Sequence, residues 1–344
     1  MAAEFPDLWQ ESLSRIDPAR LKHLVESLPA PRHRDSFPEK ILGAERMIAE
    51  TLEAEGWSVE RRPFFSVRSG EVPGEFCPAA PERSFSSLLP PGLSGTNILA
   101  VRRGRRRHEA VLVGAHYDTV PNSPGANDNG ASVAALLVLA GLLGRLDPER
   151  TLLLAAFDRE EEGLVGSRAL VPDLAREYAI RGAVVFETMG SVRTGPRTQS
   201  FPQGAGLLYP RTVGRIRRRG SPGDFTAVIH RRNSREIARS FRERLVSLTG
   251  EEKVVGIREP GDLPVVGLLL RTFLPDFPRQ FARSDHQVLW EEGVPTIMVT
   301  DTANFRYEHY HRPSDTPDRV DFHRIAAIVS ATAALVLELS TGSL

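Results

Sequence analysis

Cysteine is almost missing from this chain. Cys77 is the only one in 344 residues, so no internal disulfide can form and no thiolate cage can hold a metal. Any metal must sit on histidine and carboxylate. Cys77 lies in the run Val72-Pro-Gly-Glu-Phe-Cys77-Pro, with no base beside it, and is read as structurally neutral. Net charge is missing too. Lys plus Arg number 44 and Asp plus Glu number 44. A balanced chain has no global field drawing it to nucleic acid or to an anionic membrane, and neither is expected as a partner. The basic clusters Arg102–Arg107 and Arg215–Arg219 are read as solvated loops. The longest apolar run, Ala131–Leu143, is too short to span a bilayer. The opening Met1-Ala-Ala-Glu-Phe-Pro-Asp has no basic segment followed by an apolar one, from which a cytoplasmic location is expected. No His-Glu-x-x-His, no Gly-x-Ser-x-Gly elbow and no phosphate-binding Gly-x-x-x-x-Gly-Lys occurs.

What is present is enough apolar material, 41% of residues, for one large core. Residues 10–56 read as helical, with apolar positions at Leu21, Leu24, Val25 and Leu28, then Ile41, Ala44, Met47, Ile48 and Leu52. Trp57–Val67 reads as a strand, and 70–95 as a Pro-, Gly- and Ser-rich loop. Asn97–Val101 and Ala110–Ala115 read as two strands joined by a hairpin or other tight connection. Strand and helix then alternate: helix at Ala131–Leu146, buried strand at Thr151–Phe157, helix at Leu164–Tyr178, buried strand at Gly182–Phe186. Residues 190–222 read as loop and 257–280 as Pro-rich. Ala227–His230 and Pro295–Thr300 read as strands, Ser234–Leu248 and Asp321–Leu339 as helices. The alternation predicts an α/β fold on a largely parallel sheet. The expected organisation is one domain over 1–344, with an N-terminal helical segment (1–56) and a loop-rich insertion (190–283) lining a substrate cleft.

Ligand-type residues gather where apolar strands end. His116 and Asp118 follow Val111–Ala115, and ligands in open α/β sheets sit at the carboxyl ends of strands. Asp118 could accept the second ring N–H of His116; a lone histidine satisfied by a carbonyl is the plainer reading. Asp128, in Gly125-Ala-Asn-Asp128-Asn-Gly, suits either a helix cap or a carboxylate shared by two cations, and the local sequence does not choose. Asp158, Glu160, Glu161 and Glu162 crowd the end of Thr151–Phe157. Adjacent carboxylates raise each other's pKa, and a divalent cation would relieve the crowding. One glutamate would then bind metal while its neighbour stays free as a base. Glu187 ends the next strand, and His309, Tyr310 and His311 lie near the C-terminus with the cluster Ser284-Asp285-His286 before them. Donors of N and O type without thiolate suit zinc, with manganese or cobalt as substitutes.

In order along the chain, His-Tyr-Asp, Ala-Asn-Asp-Asn-Gly-Ala-Ser, Glu-Glu-Glu-Gly-Leu-x-Gly-Ser, Phe-Glu-Thr-Met-Gly, Ser-Asp-His and His-x-Pro-Ser-Asp-Thr resemble the dinuclear zinc aminopeptidase family. That family includes bacterial leucyl aminopeptidases, glutamate carboxypeptidase II and the glutaminyl cyclases. The resemblance runs from about Asn97 to Val320; residues 1–56 and 190–275 match only in layout. It implies a three-layer α/β/α sandwich with a mixed, mainly parallel sheet. It implies two zinc ions, one on His116 and Glu187, the other on Glu161 and His311, with Asp128 bridging and Asp118 orienting His116. Glu160 would be the general base and Tyr310 a donor to a developing oxyanion, while Asp285 and His286 would stand behind the ligands. The family often has Asp where this chain has Glu187, which lengthens that arm. Peptide-bond hydrolysis, as an aminopeptidase acting on a peptide or aminoacyl substrate, is the implied activity. Its rivals are a one-zinc cyclotransferase and a carboxypeptidase-type hydrolase. Oligomeric state is left open.

Overall fold

The computed structural model describes residues 16–65, 92–263, 265–273 and 276–342. Cys77 and most of the 70–95 loop lie outside them. Eight strands form one mixed sheet: β1 (Ser58–Phe65), β2 (Ser94–Arg102), β3 (Arg106–His116), β4 (Arg150–Phe157), β5 (Ala179–Glu187), β6 (Thr226–His230), β7 (Val254–Arg258) and β8 (Thr296–Thr300). Their order across the sheet is β1-β2-β4-β3-β5-β8-β6-β7. The central four, β4, β3, β5 and β8, run parallel. β4 shows why its sequence is apolar throughout. Leu152, Leu154 and Ala156 face one core, and Leu153, Ala155 and Phe157 face the other. Both faces are covered, so no position is left for a polar side chain.

Helices complete three layers. One face carries α1 (Pro18–Ser27), α2 (Pro38–Ala54), α3 (Ala131–Leu143), α7 (Arg235–Thr249) and α11 (Phe322–Thr341). The other carries α4 (Val165–Glu177) and α10 (His286–Glu291). Short helices α5 (Ala205–Leu208), α6 (Pro210–Arg218), α8 (Val266–Phe273) and α9 (Asp276–Arg279) flank the β6–β7 edge of the chain. The stretches Ala126–Leu143 and Phe322–Thr341 have the length and hydropathy of a membrane span, but 89% and 61% of them are buried inside the fold, which makes them core helices.

Three expectations need correction. The helical reading of 10–56 breaks at 28–37, because Pro29 and Pro31 offer no amide hydrogen and turn the preceding residues out of the helical region; α1 therefore ends at Ser27 and α2 starts at Pro38. The predicted hairpin between 97–101 and 110–115 does not form. β4 lies between β2 and β3 and pairs with both. The tight connection crosses the start of β4 at Gly104, where a Cβ would lie 2.4 Å from the Arg150 carbonyl carbon. The loop expected over 190–222 holds α6, which buries Val213 and Ile216 and leaves the arginines of Arg215–Arg219 on its outer side or at its end. The stretch 257–280, read as Pro-rich, holds α8 and α9, and β7, which carries no proline, ends at its start.

Candidate metal centre

The parallel strands deliver the ligands. His116 is the last residue of β3 and Glu187 the last of β5, while Asp158–Glu161 leave the end of β4. All three ends lie along the same edge of the sheet. Asp128 comes from the tight turn Ala126–Gly130 that leads into α3, and His311 from the loop after β8, at φ 57. That turn requires Gly125, at φ 65, since a Cβ there would lie 2.2 Å from Thr119 Cγ2 and 2.4 Å from the Asp128 carbonyl oxygen.

The side chains form two groups. His116 Nε2 lies 3.3 Å from Glu187 Oε2 and 3.5 Å from Asp128 Oδ1. His311 Nε2 lies 3.2 Å from Asp128 Oδ2 and 3.1 Å from Glu161 Oε2. Two donors bound about 2.0–2.1 Å from one tetrahedral zinc stand about 3.3 Å apart. The observed spacings are those of metal ligands. Asp128 turns one oxygen to each group. Both its oxygens, Nε2 of His116 and of His311, and Glu161 Oε1 are buried without a hydrogen-bond partner. Buried polar atoms are rarely left so, and divalent cations satisfy this donor set. Glu160 also borders the first group, but its nearer oxygen is 4.0 Å from His116 Nε2, the longest of these separations.

A surrounding layer fixes these positions. Asp118 Oδ1 lies 3.3 Å from His116 Nδ1 and accepts the Glu160 amide at 3.1 Å, while Oδ2 accepts the Glu161 amide at 3.1 Å. Ser284 Oγ donates to Glu187 Oε2 at 2.8 Å. Asp315 accepts the amides of Asn127 (2.9 Å) and Asp128 (3.1 Å) and the Tyr307 hydroxyl (2.6 Å). Asn127 Nδ2 donates to Asp301 Oδ2, and Asn129 bridges the Phe186 carbonyl and the Thr188 amide. The sequence pointed to neither asparagine's role nor to Asp301 and Ser284; Asp315 and Ser284 at least lay inside quoted motifs. His286 stands apart from the ligands. Its Nε2 meets the Phe281 carbonyl at 2.9 Å and its ring stands edge-on to Trp290 at 4.5 Å. Tyr310 stacks on His311, centroids 3.9 Å apart.

Electrostatics match a site that awaits cations. Burial pushes Glu160 well above the usual carboxylate range, with Glu187, Glu161 and Asp285 adding to it. Burial and Asp128 push Glu161 up to about 7, and burial likewise takes Asp285 to about 7. Burial opposes charge on both histidines, yet the surrounding carboxylates prevail: His116 is raised well above its ordinary value and His311 to about 10. In turn the two imidazoles outweigh burial at Asp128 and hold it at about 2. Metal ions at these donors would supply the positive charge that these shifts favour.

Beside Glu187, Ser284 and Tyr310 opens a cavity of about 930 Å³, counted to its open mouth. Its walls are apolar, among them Phe201, Val213, Phe225, Ile229, Phe281 and Met298. Many of the wall residues come from 199–283.

Comparison with known proteins agrees with this chemistry. The family model for peptidase family M28 matches residues 97–221. An uncharacterised Escherichia coli protein, YfbL, is 29% identical over 326 residues, covering 91% of each chain. An aminopeptidase of Pseudomonas aeruginosa is 40% identical over 101 residues, 29% of this chain and 19% of that protein. A probable zinc metalloprotease of Pyricularia oryzae is 30% identical over 224 residues, 59% of this chain and 41% of that protein. The chain thus spans about one fifth of the aminopeptidase and two fifths of the metalloprotease. Among solved structures, the aminopeptidase from Aneurinibacillus sp. strain AM-1 shares the fold, with a TM-score of 0.64 at 15% identity over 97% of this chain and 96% of that one. The stretch that matches peptidase family M28, residues 97–221, is the one that carries His116, Asp128, Glu160, Glu161 and Glu187, and this likeness together with the relatives supports a zinc-dependent metallopeptidase.

Proposed function

We propose that this protein is an aminopeptidase that uses two zinc ions and acts on peptides whose first residue is bulky and apolar. The observation that carries the reading is Asp128, which directs one oxygen to each of two donor groups at ligand spacing. His116 and Glu187 would hold one ion, Glu161 and His311 the other. When bound, such ions supply Lewis-acid activation of a water and of the scissile carbonyl. Glu160 supplies the proton transfer. It borders the first group, 4.0 Å from His116 Nε2, is buried, and has a proton affinity raised by that burial, which suits a carboxylate that must accept a proton and return it to the leaving amine. Tyr310, which stacks on His311 and lines the cavity, would donate its hydroxyl to the carbonyl oxygen as charge grows.

The cavity supports the amino end over the carboxyl end. Among the described residues, its charged wall residues are Glu187 and Arg283. Glu187, a metal ligand on this reading, brings negative charge to that end of the cavity, which suits a free amine and not a carboxylate. Arg283 is exposed and already bonded to Asn304, so among the described wall residues no buried cation faces a carboxylate. The test is Glu160→Gln, with zinc content and hydrolysis of leucyl amides measured together. The expected result is two zinc ions per chain in both proteins and a loss of about 10²–10⁴ in kcat in the variant. A variant that keeps its zinc and near wild-type turnover removes Glu160 from the mechanism. A wild type that binds a single zinc removes the two-ion site.

A further inference from the structure

The segment 28–37, between α1 and α2, is absent from every metal-binding motif, yet it touches two of the loops that carry candidate ligands, the one after β3 and the one after β4. Arg32 is its centre. The side chain is 1% exposed, and all of its hydrogen bonds go to backbone carbonyls: Nε to Tyr117 (2.6 Å), Nη1 to Pro124 (3.2 Å) and Pro29 (3.3 Å), Nη2 to Gly125 (2.9 Å). Tyr117 follows His116 directly, and Gly125 precedes Asp128 by three residues. One guanidinium therefore ties the start of the 117–125 loop to its end, with a metal ligand just outside each tie. The main chain repeats the clasp, since the Arg32 amide donates to Thr119 Oγ1 (2.9 Å) and the Thr119 amide to the Arg32 carbonyl (3.1 Å). A planar fork with five donors is the only side chain that can span these carbonyls.

The same segment holds the other ligand loop. Arg34 Nε donates to Asp158 Oδ2 at 2.7 Å, and Arg159 grips Asp35 through two bonds of 2.7 and 2.9 Å. Glu160 and Glu161 follow immediately. The carboxylates of Asp315, Asp118, Asp128 and Glu161 surround Arg32 at electrostatic range without bonding to it, so its charge offsets theirs from behind.

We propose that Arg32 is a positioning residue of the metal centre, which fixes the separation of His116 and Asp128 and thereby the affinity for both ions. The inference rests on the two-zinc reading above. Arg32→Lys keeps the charge and loses the fork; Arg32→Met loses both. Leu245→Ala, in the core of α7 and fully buried, serves as a control that lowers stability away from the centre. Zinc affinity is measured by chelator competition and the ligand geometry by the visible absorption of the Co²⁺-loaded proteins. Outer residues that orient ligands are worth about 10–100-fold in metal affinity. Arg32→Lys is expected to weaken zinc tenfold or more and to shift the cobalt bands, Arg32→Met to do so further, and Leu245→Ala to leave both unchanged. If the arginine variants do not fold, Thr119→Val, which removes only the hydroxyl that accepts the Arg32 amide, replaces them and is expected to weaken zinc threefold or more. Folded variants with wild-type affinity and spectrum overturn the proposal, as does a control that weakens zinc equally. A wild type without a pair of zinc ions overturns this inference and the two-ion reading together, whereas a wild type with its pair and unaffected variants overturns this inference alone.

Discussion

Asp118→Asn is nearly isosteric, and its effect can be worked out atom by atom. The wild-type carboxylate accepts the Glu160 amide on Oδ1 and the Glu161 amide on Oδ2, while Oδ1 also faces His116 Nδ1 at 3.3 Å. An asparagine has one oxygen, and the less costly placement keeps it where Oδ1 serves two partners. Its NH₂ group then confronts the Glu161 N–H, donor against donor. One charge-assisted hydrogen bond is lost, worth about 1.5–3 kcal/mol, and the Glu161 amide is left unsatisfied. At 1.4 kcal/mol per decade this is about 10- to 100-fold. The loss falls on Glu161, a ligand of the second ion, and on the tautomer of His116, a ligand of the first. Zinc affinity by chelator competition is expected to fall by that factor. Turnover at saturating zinc is expected to fall as well, because Glu160 hangs from the same turn. A folded Asp118→Asn protein with zinc affinity and turnover within twofold of wild type refutes the reasoning.

Thr212→Trp projects into the apolar cavity from α6 at a half-buried wall position. Since burying a Leu or Phe side chain is worth about 1.5–3 kcal/mol, the variant is expected to lose roughly tenfold or more in kcat/KM on leucyl and phenylalanyl substrates. Alanyl substrates are expected to change less than threefold, and equal losses on both would detach the cavity from specificity. His286 supplies a pH test. Burial lowers its pKa to about 4 from 6.5, so both folded and unfolded chains hold it neutral above pH 6.5 and no stability is lost there. Below 6.5 the unfolded chain takes up a proton that the fold refuses until about pH 4, and stability falls by up to about 3 kcal/mol. Denaturant unfolding of the metal-free protein between pH 7 and 4 is expected to show that extra loss relative to His286→Gln; parallel curves would mean that His286 titrates normally.

Much of the candidate metal centre was legible because of where strands end. A strand buried on both faces must be apolar to its last residue, so the first polar residues after Val111–Ala115, Thr151–Phe157 and Gly182–Phe186 stand out. Those are His116, the Asp158–Glu162 run and Glu187, and the sheet brings them to one edge. Asp128 was ambiguous for a physical reason: a carboxylate in a turn before a helix has the same local surroundings whether it caps the helix or binds metal. Its two oxygens each stand near a different histidine, a placement that exists only in three dimensions and that supports the shared-carboxylate reading proposed above. The hairpin misreading has a similar cause. Adjacent strands in sequence commonly pair, and nothing local to 97–115 reveals that β4, forty residues on, is apolar enough to be placed between them.

Arg32 and the apolar cavity escaped for opposite reasons. Arg32 stands in Pro-Arg-His-Arg-Asp, where a charged side chain reads as solvated, since arginine is seldom fully buried without a partner. Its partners are carbonyls, and carbonyls leave no mark in a sequence. The cavity is built from residues spread over 199–310 on α6, β6, β7, β8 and the following loops, none of which is periodic with another. Yet the two features meet at the same centre from opposite sides. The clasp on the 117–125 loop sets where His116 and Asp128 stand, and the cavity opens at Glu187, the other ligand in reach of His116. A change on the clasp side should therefore appear in metal affinity for every substrate alike. A change on the cavity side should appear in substrate preference at constant metal affinity. A single variant that moved both would show that the ligand edge of the sheet is less rigid than the buried strands beneath it imply.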